Sequence, residues 1–195
     1  MEIDLKNLKP DVRHLRDMKK VLYDKEWLKT AQNLELYYMY RGLKKEKGLR
    51  YDITVIPSKM LGEEFVKTKG NRNSDNYLEI YTILEGKAIF LLQKMENEKV
   101  KDVFAIKAKK GESVMNPAEY YIVSINPFKK LLKLGNWVPE RNKNIYQDLE
   151  NKQGACYYYT KNGWIKNKNY KNIPKLRFEK SLKSLPKNLN LLKGC

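Results

Sequence analysis

Histidine is nearly missing from this chain of 195 residues: there is one, His14. A multi-histidine metal centre and a two-histidine proton relay are therefore excluded. Cysteine is almost as scarce. Cys156 and Cys195 are too few for a disulfide framework or a zinc cluster. No uncharged apolar run approaches the roughly 20 residues that a membrane-spanning helix needs. The opening Met1-Glu2-Ile3-Asp4 is acidic and lacks the apolar core of an export signal, which predicts a cytoplasmic protein with no membrane partner. Acids are also short, with 23 Asp and Glu against 40 Lys and Arg, a formal net charge of +17.

What is present is enough for a core. The chain is 42% hydrophobic and carries 14 Tyr, 5 Phe and 3 Trp, which excludes wholesale disorder. Its length fits one domain, or one domain with an arm. The positive charge favours phosphate-bearing partners, and it is unevenly spread. From Lys161 to Cys195 ten Lys or Arg face one acid, Glu179, so +9 of the +17 lies there. His14 sits in Val12-Arg13-His14-Leu15-Arg16, where flanking cations disfavour its protonation, and it reads as an ordinary surface or packing residue.

The pattern along the chain is that of many short strands. Asp24 is the candidate cap of a short helix at 25–29, and the aromatic run 34–40 reads as a strand. Lys44 to Gly48 reads as a charged turn, followed by a strand at 50–57 and a turn around Gly62. Further strands are expected at 64–67, 78–85, 87–94, 103–108, 113–116, 120–126 and 131–137. A short helix is expected at 145–149. Tyr157-Tyr158-Tyr159-Thr160, a Lys161-Asn162-Gly163 turn and Trp164-Ile165-Lys166 form a candidate hairpin. Beyond Tyr170, Pro174 and Pro186 break any long helix, leaving an extended arm. The fold class is all-β, an antiparallel sandwich or barrel.

The spacing within this centre resembles a known superfamily. Glu79 is followed by six residues and Gly86, and Gly111 by five residues, Pro117, eight more and Asn126. These resemble the two motifs of the cupins, whose double-stranded β-helix, or jelly-roll, barrel is thereby implied. Thr68-Lys69-Gly70, then Asn71-Arg72-Asn73, then Leu78-Glu79-Ile80-Tyr81 through Gly86, are similar to the archaeal cupin-type glucose-6-phosphate isomerases. So are Val12 to Met18, the strand with Thr54 and Pro57, and Asn126-Pro127-Phe128. The pieces are collinear from about Val12 to Asp148. We expect one barrel domain with N-terminal strands over 1–165, short peripheral helices, and a Lys-rich C-terminal arm over 166–195.

The resemblance implies a divalent metal held by three histidines and the motif glutamate. Here the His-x-His is replaced by Asn71-Arg72-Asn73, and Ile122 (or Tyr121, with one residue of slippage) stands at the last histidine position. Only Glu79 remains. Amide oxygens are weak ligands better suited to hard cations, so no metal or other cofactor is expected. The substrate side is better kept. The resemblance implies that Thr54, Thr68 and Gly70, with Lys69 between the last two, hold a sugar phosphate. It makes Glu79 the catalytic base, with Tyr81 on the same strand face and Tyr37 or Tyr40 nearby. The family's later active-site Tyr and His fall within 134–144, which contains neither.

Three functions follow. The first is a glucose-6-phosphate isomerase-like cupin with a degenerate metal site, weak or inactive, that still binds phosphorylated sugar as a homodimer. The second is an active isomerase with a modified or metal-independent site. The third is a basic nucleic-acid-binding or assembly module, in which the Lys-rich arm combines with Tyr157, Tyr158, Tyr159, Trp164 and Tyr170.

Overall fold

The apolar run Ala88-Ile89-Phe90-Leu91-Leu92 contains no turn former, and in the computed structural model it lies buried within a strand. The structure describes residues 3–193, so the readings made on Met1, Glu2 and Cys195 fall outside the described residues. The strands are β1 (Asp11–His14), β2 (Glu35–Glu46), β3 (Leu49–Ile56), β4 (Met60–Leu61), β5 (Glu64–Phe65), β6 (Arg72–Asn73), β7 (Glu79–Glu85) and β8 (Lys87–Glu96). There follow β9 (Lys99–Lys109), β10 (Ser113–Asn116), β11 (Tyr120–Ile125), β12 (Leu132–Pro139), β13 (Asn144–Ile145), β14 (Tyr157–Thr160), β15 (Gly163–Lys166) and β16 (Arg177–Lys180). The α-helices are α1 (Leu15–Met18), α2 (Lys25–Thr30) and α3 (Gln147–Asn151). No described helix is long and apolar enough to cross a membrane.

Two sheets make the barrel. One runs β1-β2-β3-β12-β7-β10 and the other β11-β8-β9-β16. Their inner faces pack together as a jelly roll, with Tyr81 of β7 against Phe90 of β8 at 5.6 Å between ring centroids. A small sheet, β15-β14-β5-β4, and the β6–β13 pair close the ends. Cys156 is buried among them, and burial pushes its thiol up to about 12, so it is inert packing.

Local chemistry accounts for several elements. Asp24 Oδ1 accepts from the Trp27 N–H at 2.9 Å and caps α2. The β14–β15 hairpin turns over Lys161 and Asn162, with Gly163 at φ +95° where an L side chain would be strained.

Three expectations are corrected, and the surroundings of His14 differ from its neighbours in sequence. Lys44 to Glu46 continue β2 instead of forming a turn, because each pairs with a residue of β3 after a bulge at Arg41 to Leu43. The expected strand at 64–67 stops at Phe65, and Lys67 makes only an isolated bridge to Ile125. The expected helix at 145–149 begins two residues late, since Asn144 and Ile145 are drawn into pairing with Asn73 and Arg72. His14 faces carboxylates, 3.9 Å from Asp17 and from Glu35, while Arg13 turns to the ring of Tyr37.

The arm lies on its own barrel. Its strand β16 adds parallel to the edge of β9, with Arg177 opposite Phe104 and Lys180 opposite Lys107. Leu182 and Ser113 exchange backbone hydrogen bonds at 2.8 and 3.0 Å. Leu192 is fully buried against Leu49 and Ile80 on the outer face of the first sheet.

Candidate functional site

β3 presents Arg50, Asp52 and Thr54 on one face, since alternate residues of a strand point the same way. Register carries that face across the sheet. Asp52 is opposite Asn136 of β12, which is opposite Tyr81 of β7, and Thr54 is opposite Leu134. Glu79 lies two residues before Tyr81. These side chains form one wall of a cleft, and the segment from Thr68 to Asn71 forms another. The space between the walls is about 600 Å³, part of it open to solvent.

Seven of the residues singled out by sequence meet here: Thr54, Thr68, Lys69, Gly70, Asn71, Glu79 and Tyr81. Tyr37 is also on the wall, and Tyr40 is not. Gly70, at φ +78°, has no room for a side chain, since a Cβ would sit 2.7 Å from both Leu149 and Val123. Glycine is thereby required where the segment packs against Leu149 and Val123. The Thr68 hydroxyl accepts from the Ser124 N–H at 2.9 Å, leaving its own O–H to donate. The Lys69 N–H donates to the Tyr37 hydroxyl at 3.1 Å, and its ammonium pairs with Glu150 above the Tyr146 ring.

The replaced metal positions do not converge as ligands. Ile122 pairs with Asn71 in an isolated bridge and its side chain belongs to the core. Tyr121 turns its hydroxyl to Asp148. Asn73 lies buried beneath the cleft, its Oδ1 accepting from Asn142 at 3.0 Å and from Asn71 at 3.5 Å. Arg72 leaves the site and stands over the Tyr121 ring at 5.7 Å. Among the described residues no three His, Cys, Asp or Glu side chains gather as a metal set. The donors at Glu79 do not suit the metal that the resemblance implies, since an amide N–H₂ and not a free oxygen faces its carboxylate.

That amide is Asn136, whose Nδ2 donates to Glu79 Oε1 at 2.6 Å, with both side chains buried. The other oxygen, Oε2, is buried on the cleft wall with no hydrogen-bond partner among the described residues. Burial first, and the charge of Asp52 second, push the carboxyl up to about 7, with Tyr81, Asn73 and Arg50 moderating the rise. Such a group exchanges a proton near neutral pH. Burial and the neighbouring Glu79 keep the Tyr81 hydroxyl protonated, well above its ordinary range.

Sequence reasoning missed Arg13, Arg41, Arg50, Asp52, Asn136 and Tyr146, all on the cleft. Tyr146 lies just past the segment searched for a tyrosine. The others needed strand register, and only the inward period of β3 gave a signal for Arg50 and Asp52.

A family model described as "Glucose-6-phosphate isomerase (GPI)" matches residues 12–175. The glucose-6-phosphate isomerase of Thermococcus litoralis is 36% identical over 100 residues, 48% of this chain and 53% of that protein, so the match spans about half the length of this relative. Among solved structures, the Schizosaccharomyces pombe Cnp3 cupin domain aligns with a TM-score of 0.40 and 13% identity over 69% of this chain and 82% of that chain. The Lactobacillus farciminis oxalate decarboxylase formate complex aligns with a TM-score of 0.44 and 10% identity over 54% and 29%. These two structural likenesses are too distant to bear on the chemistry.

Proposed function

The chain belongs to the glucose-6-phosphate isomerase family, and from that premise we propose that it is a cytoplasmic, homodimeric cupin that binds a phosphorylated sugar with little or no isomerase activity left. The observation that carries this reading is the meeting of Thr54, Thr68, Lys69 and Gly70 with Glu79 and Tyr81 on one cleft. A threonine O–H, the backbone at Gly70 and the guanidinium of Arg13 are donors suited to a phosphate dianion. Isomerisation moves a proton between adjacent carbons and builds negative charge on the neighbouring oxygen. Glu79 Oε2 offers the base. The preorganised charge that stabilises the oxygen, commonly the largest catalytic contribution, has lost its metal-binding set.

Calorimetry with glucose 6-phosphate, fructose 6-phosphate and 6-phosphogluconate tests the ligand. Heat with at least one supports it, and silence with all three removes it. A coupled assay tests the chemistry, with turnover at or near background expected in protein free of contaminating isomerase.

One observation favours a second reading. Glu79 combines an unpartnered oxygen with a titration near neutrality, which suits metal-independent proton transfer. Turnover that is insensitive to chelators and abolished by Glu79→Gln would establish that reading over the first. The nucleic-acid reading draws less support. Tyr157, Tyr158 and Tyr170 are buried, with hydroxyls bound to Pro174, Gln153 and Gly154 carbonyls, so they offer no open stacking face.

A further inference from the structure

The chemistry along β3 is ordered. Thr54 stands at the phosphate-binding end, Asp52 beside Asn136 and Glu79 at the middle, and Arg50 at the far end. Arg41 from β2 joins Arg50 there, and the two also line a shallow groove that continues the cleft outward past Lys143, Asn144 and Tyr146. The cleft therefore has an anion-accepting end at Thr68 to Gly70 and a second cationic end at its mouth.

The mouth keeps donors free. Arg50 gives Nε to Asp52 at 3.0 Å and Nη1 to the Glu140 carbonyl at 3.4 Å, and no partner engages its Nη2. Arg41 gives Nε to Asp11 at 3.2 Å and one Nη2 contact to the Met39 sulfur at 3.3 Å. Each guanidinium has five N–H donors, so both retain several for a ligand. Asp52 also anchors the bulge that carries Arg41 toward the cleft, accepting from the Gly42 N–H at 2.7 Å. Glu140 is neutralised by Lys45 at 3.0 Å, and Lys143 is exposed beside the groove. The α-carbons of Thr54 and Arg50 are about 13 Å apart along an extended strand.

We propose that this cleft selects a hexose carrying a phosphate at both ends, with one phosphate at Thr54, Thr68 and Gly70 and the other between Arg41 and Arg50. The proposal rests on the sugar-phosphate reading above and names its ligand class. No bond is made or broken; the claim concerns binding.

The test compares glucose 1,6-bisphosphate with glucose 6-phosphate by calorimetry at one fixed ionic strength. The bisphosphate is expected to bind at least about tenfold tighter, the scale of an added pair of charge-assisted hydrogen bonds. Arg41→Met and Arg50→Met should each bring the ratio of the two affinities within about threefold. Arg41 is half-exposed, so its variant remains informative if loss of Arg50 beside Asp52 unfolds the chain. Lys107→Gln, an exposed lysine of the opposite sheet, should leave the ratio as it was. Equal affinities in the unaltered protein overturn the proposal and leave the sugar-phosphate reading intact. So does a ratio that survives both arginine variants, or one that falls equally with Lys107→Gln, which would be attraction by net charge alone. If neither ligand binds, the sugar-phosphate reading fails with it.

Discussion

Asn136 donates its side-chain N–H to Glu79 at 2.6 Å, and the pair is buried at the middle of the cleft. The contact fixes one carboxyl oxygen and leaves the other without a hydrogen-bond partner among the described residues. A neutral amide holds the group in place, and burial, more than any neighbouring charge, makes it titrate higher.

That titration makes stability depend on pH. The carboxyl moves from an ordinary 4.5 to about 7, chiefly through burial. A raised carboxyl means that the folded chain holds the proton more tightly than the unfolded one. Below about 4.5 both states are protonated and nothing is lost, and above about 7 both are ionised and the full penalty applies. At about 1.36 kcal/mol per pH unit the penalty is on the order of 3 to 4 kcal/mol. Glu79→Gln, which keeps an oxygen for Asn136, should therefore be more stable than the native chain at pH 8 and close to it at pH 4.5. Urea midpoints at the two pH values measure this. An equal difference at both would show that Glu79 does not titrate in this window.

Asn116 supplies a second test of the same floor. It is opposite Glu79 in the β10–β7 register, is fully buried, and neither polar atom of its amide has a partner. An unpaired buried polar group costs about 1–3 kcal/mol, and an apolar residue of similar shape removes that cost. Asn116→Leu should raise stability by about this amount in urea unfolding. A clear loss of stability would mean instead that the amide has a partner in solution.

The barrel was legible where neighbours in sequence decide the structure. Ser113 to Asn116 was delimited by Gly111 and Pro117, and the β14–β15 hairpin by its Asn-Gly turn, and both formed as expected. The helix expected at 145–149 started late because Asn144 and Ile145 pair with residues some seventy positions away, which no local pattern carries. The site divides the same way. Glu79, Tyr81 and Thr68 to Gly70 lie within one short stretch and could be read together. Asn136, Arg50 and Arg13 reach the cleft only through sheet register, so their polar side chains looked like ordinary surface residues. The missing histidines were visible at once, but Asn136, the amide that faces Glu79, was not.

Buried charge away from the cleft gives a third prediction. Lys67 and Glu64 are ion-paired at 5% and 1% side-chain exposure. Lys67 also donates to the Val21 carbonyl at 2.9 Å, and Glu64 accepts from the Tyr23 N–H at 3.0 Å. The pair thus clasps the N-terminal segment to the strand that leads into Thr68. Removing one partner leaves a buried charge uncompensated, at about 3–5 kcal/mol. Lys67→Met should destabilise by that much, and adding Glu64→Gln should recover most of it, since an amide still accepts from Tyr23. If the double variant is no more stable than the single one, the clasp is packing and not charge.

The basic arm is the last case, and its role follows from what it covers. Without β16 the edge of β9 would present unpaired backbone groups, an invitation to edge-to-edge association. Arg177 fixes the strand through Nη2, which donates to both oxygens of Asp102 at 2.7 Å, so part of the arm's charge serves its own docking. Farther on, Leu192 is fully buried with Leu49 and Ile80, beneath Leu185, Leu189 and Trp137. Replacing a buried leucine by alanine costs about 2–5 kcal/mol, so Leu192→Ala should lower stability measurably, whereas Lys183→Ala on the exposed side should not. A chain ending at residue 175 should lose more, and should self-associate through the uncovered β9 edge and the apolar patch around Ile80. Light scattering and urea unfolding of the truncated chain decide it. A truncated chain with the size and stability of the full one would mean that the arm contributes charge alone, and would return those lysines to the search for an anionic partner.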